Sequence, residues 1–265
     1  MIALTPVTSL ATVERRDRFM RVAAANPRIL VGGGIILAIL AACLLTLPLT
    51  RPSTSSLYYD RQDLTVVRKP PGVVPGARGW FGTDILGRSL FSRCLIGGTI
   101  SLGIGAASAA VSLVLGVSVG LVAGYRGGWI DSFLMRTVDV LYGLPEILMI
   151  VLLQFALRDR VPNVVVLFLA IGLVSWLTMA RVVRGQVLSL RGLPFIEAAR
   201  AAGLPERRIF LRHIFPNLAG PIIVYATLTV PRAILEESLL SFLGIGIAPP
   251  LSTWGSLAAD ALQPA

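Results

Sequence analysis

The run LIGGTISLGIGAASAAVSLVLGVSVGLVAG, residues 95–124, decides the fold. It carries no charge and exceeds the ~20 residues that an α-helix needs to cross a hydrocarbon core of about 30 Å. Ser108, Ser112, Gly116 and Gly120 recur in it at four-residue spacing. On a helix they share one face, and side chains this small let a second helix approach closely. The run reads as a membrane span buried between other helices.

Working outward, residues 29–50, 161–180 and 214–231 are equally free of charge. A further span is irregular: Asp131, Arg136 and Asp139 occupy its first turns, and Pro145-Glu146 interrupts it before the apolar stretch 147–157. Five spans result. Of the 265 residues, 55% are hydrophobic and 14% charged, far from the balance of a water-soluble domain. The 26 glycines, single lysine and 7% aromatic content suit helices packed through small residues better than an aromatic-girdled barrel. The expected fold is an all-α polytopic membrane protein.

The net charge of +10 would suggest nucleic acid in a soluble chain. Here the basic residues lie mostly between apolar runs, where they orient the chain in the bilayer, and nucleic acid is not an expected partner. Arg15, Arg16, Arg18, Arg21 and Arg28 precede the first span, which places the tail 1–28 on the cytoplasmic side. Leu40-Ala41-Ala42-Cys43 resembles a lipoprotein cleavage box, but the apolar run continues through Leu44 and Leu45 and more spans follow, so 29–50 reads as an uncleaved span. Residues 51–94 read as an external loop, rich in proline and glycine, closing in a short amphipathic helix with Leu86, Leu90 and Cys94 opposite Arg88 and Ser92. Residues 95–265 form the core, including a basic cytoplasmic loop at 181–213. Cys43 and Cys94 suggest packing rather than a metal site, and His213, the sole histidine, cannot build a metal cluster or catalytic dyad.

Within the basic loop, Glu197-Ala198-Ala199-Arg200-Ala201-Ala202 has high helix propensity, Gly203 suits a left-handed stop, and Pro205 suits the first turn of the next helix. A helix-turn-helix outside the membrane is expected, with short side chains that admit a partner surface and arginines that can pair with its carboxylates. No phosphate-cradling Gly-x-x-x-x-Gly-Lys-[Ser/Thr] occurs, so the chain holds no ATP site of its own. Asp139 is three residues from Arg136 and suggests a local pair, and Arg232 lies four before Glu236. Carboxylates such as Glu236 and Glu237 at a span are costly unless they meet water, a partner or a cation.

Glu197-Ala198-Ala199, Gly203 and Pro216 keep the spacing of the cytoplasmic signature of ATP-binding-cassette importer permeases, with His213 and Phe215 departing from it. Phe81-Gly82-Thr83-Asp84-Ile85-Leu86-Gly87-Arg88, Gly127-Gly128-Trp129-Ile130-Asp131 and Ser241-Phe242-Leu243-Gly244-Ile245-Gly246 with Trp254-Gly255 are similar to the dipeptide, oligopeptide and nickel branch. The resemblance implies a type I importer transmembrane domain, with five spans visible where the family usually has six. It implies a homologous permease, two cytoplasmic ATPases that bind ATP and Mg, and an external solute-binding protein as partners in the membrane lipid. Glu197, Ala198, Ala199, Arg200, Gly203 and Pro216 would couple to an ATPase. Asp131, Arg136 and Asp139 are candidates for the same contact, and Glu236 and Glu237 for the pathway or its gate; Glu237 matches the family's acidic position and Glu236 does not. The implied function is ATP-driven import of short peptides, dipeptides first, by alternating access. Nickel or another small solute is the alternative within the family, and an ion-coupled secondary transporter using Glu236 and Glu237 is the alternative outside it.

Overall fold

Glycine and proline set the helix ends. The computed structural model describes residues 26–157 and 160–262, so most of the basic tail, including Arg15 to Arg21, lies outside the described residues. The helices are α1 (Pro27–Leu45), α2 (Leu47–Thr50), α3 (Leu90–Arg126), α4 (Gly128–Tyr142), α5 (Glu146–Leu157), α6 (Asn163–Arg191), α7 (Pro194–Ala201), α8 (Glu206–Ile209), α9 (Phe215–Phe242) and α10 (Trp254–Ala261). Gly127 and Gly128 stop α3 and restart the chain at φ +67° and +57°, a region L side chains avoid. Pro145 lies in the break between α4 and α5, which are bent by 91°.

Among the described residues four helical stretches are long and apolar enough to cross a membrane: α1, α3, α6, and Glu206–Phe242, which links α8 to α9 through a π turn at Phe210–Ile214. The bent pair α4–α5 makes a fifth if counted as one broken span. No strand occurs among the described residues, in keeping with the expected all-α class.

The small-residue ridge of α3 packs on α6. A Cβ at Gly116 would lie 2.5 Å from the Cβ of Met179, at Gly120 2.5 Å from the Ala180 carbonyl oxygen, and at Gly124 2.8 Å from the Cβ of Val187. Both partners advance together along the chain, so α3 and α6 run parallel. Gly105 meets Val230 and Ser101 meets Glu237, so α9 runs antiparallel to α3. A Gly120→Val substitution drives its side chain into backbone that cannot move aside. It is expected to cost roughly 1–3 kcal/mol or more, read as a lowered melting temperature of the detergent-purified protein.

Several boundaries differ from the sequence expectation. Leu86 lies in a turn, and α3 begins at Leu90 and runs unbroken through the membrane, so 51–94 does not close in a separate helix. Hydrogen bonds to Asp84 explain this. Its carboxylate accepts from the backbone N–H of Leu86 (2.9 Å) and Arg88 (2.8 Å), from Arg88 Nε (2.7 Å) and from Arg93 Nη1 (2.8 Å). Arg88 Nη1 continues to Asp60 at 3.1 Å. Arg88 is thus a buried clasp and not the exposed face of a helix, and Ser89 caps α3 instead. Residues 181–191 likewise prolong α6 rather than belonging to the basic loop, because Arg181, Arg184 and Arg191 find partners on its flank. The last span does not stop at Pro231: α9 continues through Arg232, Glu236 and Glu237 to Phe242. Pro205 precedes α8 as its cap instead of entering its first turn.

Burial pushes the Asp84 carboxyl up, but the Arg88 N–H and guanidinium, the Leu86 N–H and the Arg88 charge outweigh it and hold the group below its ordinary value. A carboxyl depressed in the folded state stabilises above its unfolded pKa, and that contribution is lost as pH falls through the folded value. The loop is expected to loosen on acidification from about pH 4 downward, seen as lower amide protection factors at residues 84–88, relative to the intrinsic exchange rate at each pH, with little change in protection between pH 6 and 8.

Candidate functional site

α7 and α8 form a projecting turn at the end of the bundle where α3 and α6 finish. Pro194 opens α7 with its φ already set for a helix. Gly203, at φ +75° and with nothing within 4 Å of a notional Cβ, reverses the chain. Leu204 N–H then donates to the Ala199 carbonyl at 3.2 Å. The amphipathic spacing of α7 turns Ile196 and Ala199 inward, into a buried cluster with Val183, Val187, Ile209 and Ile214. Glu197, Ala198, Ala201, Ala202 and Gly203 face outward. The result is a small-residue knuckle bolted to the spans through apolar contacts.

Polar bonds fix the same unit. Arg200 Nε donates to Glu206 at 3.0 Å, so Arg200 is committed within the loop rather than free for a partner. Tyr125 Oη, at the end of α3, donates to the Glu206 carboxylate and to its carbonyl oxygen, the latter at 2.9 Å. Arg191 Nη1 donates to the Gly124 carbonyl at 2.8 Å. Pro216 stands apart from α7, exposed in the first turn of α9. Arg207, Arg208 and Arg212 are also exposed on this side.

Within this chain Asp131 and Asp139 have separate partners, and Arg136 pairs with neither. Asp131 is held by Arg184 through Nε at 2.6 Å and Nη2 at 2.7 Å, the two-pronged geometry that suits guanidinium to carboxylate. Asp139 pairs with Arg181 at 2.6 Å, and the Arg181 guanidinium covers the Tyr142 ring at 3.9 Å. These bonds tie α4 to α6. The local Arg136–Asp139 pair is not formed, because Arg181 reaches Asp139 across the helix boundary and leaves Arg136 exposed on the far side.

Near the opposite end of the bundle, Glu237 is fully buried. Its carboxylate accepts from Ser241 Oγ and Thr253 Oγ1, both at 2.7 Å, and from Ser101 Oγ at 3.5 Å. Trp254 N–H donates to Ser101 Oγ at 3.1 Å, and Trp254 Nε1 to the Cys94 carbonyl at 3.1 Å. Glu237 is therefore the centre of a knot joining α3, α9 and the segment before α10. Within this chain the carboxylate faces the hydroxyls of Ser241, Thr253 and Ser101.

Glu236 points elsewhere. It accepts from Arg232 Nε at 2.8 Å, the expected pair one turn away, while Arg232 Nη2 reaches Glu146 at the start of α5. Sequence reasoning missed Glu146, 86 positions from Arg232; its one signal is a carboxylate immediately after a proline in an apolar run.

Residues 116–264 match the family described as binding-protein-dependent transport system inner membrane component. The oligopeptide transport system permease protein OppC of Bacillus subtilis (strain 168) is 38% identical over 229 residues, 86% of this chain and 72% of that protein. The dipeptide transport system permease protein DppC of the same organism is 45% identical over 202 residues, 76% of this chain and 61% of that protein. OppC of Escherichia coli (strain K12) is 42% identical over 247 residues, 93% of this chain and 77% of that protein.

Proposed function

This chain belongs to the binding-protein-dependent transport system inner membrane components, and from that premise we propose that it is a translocation subunit of an ATP-driven importer of short peptides, dipeptides first among them. The observation that carries the reading is the α7–Gly203–α8 knuckle. It offers a partner small side chains on the outside while Ile196 and Ala199 root it in the cluster shared with α6 and α9. Closure of an ATPase pair against Glu197, Ala198 and Gly203 would be transmitted to the spans through that root, with no chemistry in this chain. The ATP and Mg would be held by the two ATPase partners, a homologous permease would supply the other wall of the pathway, and a loaded solute-binding protein would dock at the opposite end. In this arrangement the knuckle is cytoplasmic, and the spans alternate between inward and outward openings.

The family's peptide-transporting relatives support a peptide substrate, and the substrate is tested directly. The chain is co-expressed with its candidate permease and ATPase partners, and vanadate-sensitive ATP hydrolysis is measured with and without dipeptide-loaded binding protein. Stimulation of several-fold is expected. Failure of any ATPase to assemble would overturn the reading in favour of a gradient-driven carrier.

A further inference from the structure

We propose that Glu146, Arg232 and Glu236 form a substrate-selecting site inside the membrane, which takes the free ammonium group of a peptide's N-terminus. The inference rests on the importer reading above.

Its first support is position. Tyr225, Leu228, Arg232, Leu235 and Leu239 recur every three or four residues on α9 and are exposed or half-exposed, so they make one stripe along the helix. Arg232 lies about 15 Å along the axis from the end of α9 at 1.5 Å per residue. Its level falls between Val230, which faces Gly105, and Glu237, which faces Ser101, both within the uncharged run of α3. Charges at such depth are expensive against lipid and are found facing a bundle interior, a water-filled path or a partner. The stripe therefore faces protein or the pathway, and Arg232 marks where it becomes polar.

The second support is an unfinished set of bonds. Two carboxylates share one guanidinium. Glu236 Oε1 is taken by Arg232, but Glu236 Oε2 is buried and has no hydrogen-bond partner. A buried carboxyl oxygen without a donor is costly, and an N–H donor, best a charged one, would complete the set. A primary ammonium brings one positive charge and three donors, enough to reach Glu236 Oε2 and Glu146 together.

The third support is mechanical. Glu146 opens α5 directly after Pro145, at the 91° bend of the broken span, so the Glu146–Arg232 pair joins that break to α9. An ammonium competing for Glu146 loosens this joint only when substrate is present. A neutral N-acylated peptide brings neither the charge nor the donors and leaves the joint closed.

The test uses the whole detergent-purified assembly without binding protein. Equilibrium binding of radiolabelled Ala-Ala is competed with unlabelled Ala-Ala or with propionyl-alanine, its desamino analogue. The native assembly is expected to prefer the free amine by tenfold or more, and Glu236→Gln and Glu146→Gln to bring the two competitors within about twofold while still co-purifying with the homologous permease and the ATPases. Glu146→Gln, at the more exposed carboxylate, serves where Glu236→Gln fails to assemble. Equal competition in a native assembly whose ATPase is stimulated, or an undiminished preference in the variants, would overturn the site alone. A variant that loses the homologous permease while native binding shows no amine preference would assign the trio to the permease interface instead. A native assembly without stimulated ATP hydrolysis would overturn the importer reading, and the site with it.

Discussion

Replacing Gly203 with proline is expected to reduce binding-protein-stimulated ATP hydrolysis at least about tenfold, the equivalent of about 1.4 kcal/mol in coupling. Gly203 sits at φ +75°, and its N–H donates to the Arg200 carbonyl at 2.9 Å. Proline removes that donor and fixes φ near −65°, on the other side of the conformational map. The turn must open, and α7 can no longer hold Ile196 and Ala199 in their cluster while presenting Glu197 and Ala198 outward. Empty space around Gly203 means that bulk is not the problem. Gly203→Asn, which tolerates the left-handed region better than most residues, should therefore retain most of the stimulation. Equal losses in both variants would show that the partner needs the absent side chain itself and not the turn.

Glu237→Leu is expected to destabilise the protein by on the order of 3–5 kcal/mol, from two or three buried hydroxyls stranded at about 1–3 kcal/mol each. Ser241, Thr253 and Ser101 all turn toward this carboxylate, and Trp254 is placed through Ser101. Glu237→Gln keeps a carbonyl acceptor and nearly the same shape, and should lose much less. Thermal unfolding of the purified protein reads the difference. A Glu237→Leu protein of native stability that fails only in transport would return this residue to the pathway wall.

The spans were legible because a membrane permits few solutions. Uncharged runs of sufficient length and the Ser108 to Gly120 ridge announced both the crossings and the face of closest approach. Helix ends were less legible, since they depend on partners distant in the chain. Arg181 and Arg184 read as loop residues by charge, yet Asp139 and Asp131 draw them into α6. The same applies at the candidate sites. Gly203 carries a local conformational requirement, which sequence displays; the burial of Glu237 depends on Thr253 and Ser101, and the partnership of Glu146 with Arg232 on a crossing of α5 and α9. Two adjacent glutamates look alike in one dimension, and only the packing separates one whose carboxylate is met by three hydroxyls from one with a buried, unpartnered oxygen.

The unbroken stretch Glu206–Phe242 has a mechanical consequence. Its 37 residues extend about 55 Å at 1.5 Å per residue, with the knuckle at one end and the Glu237 knot at the other. A lever of that length pivoting by about 5° about one end sweeps the other by about 5 Å, close to the 5.4 Å pitch of one helical turn. Pro216, Pro221 and Pro231 lie within it, and each lacks the N–H that would bond one turn back. The arm is thus stiff enough to amplify a small push at Glu206, and jointed at three fixed places where the amplified stroke can be steered.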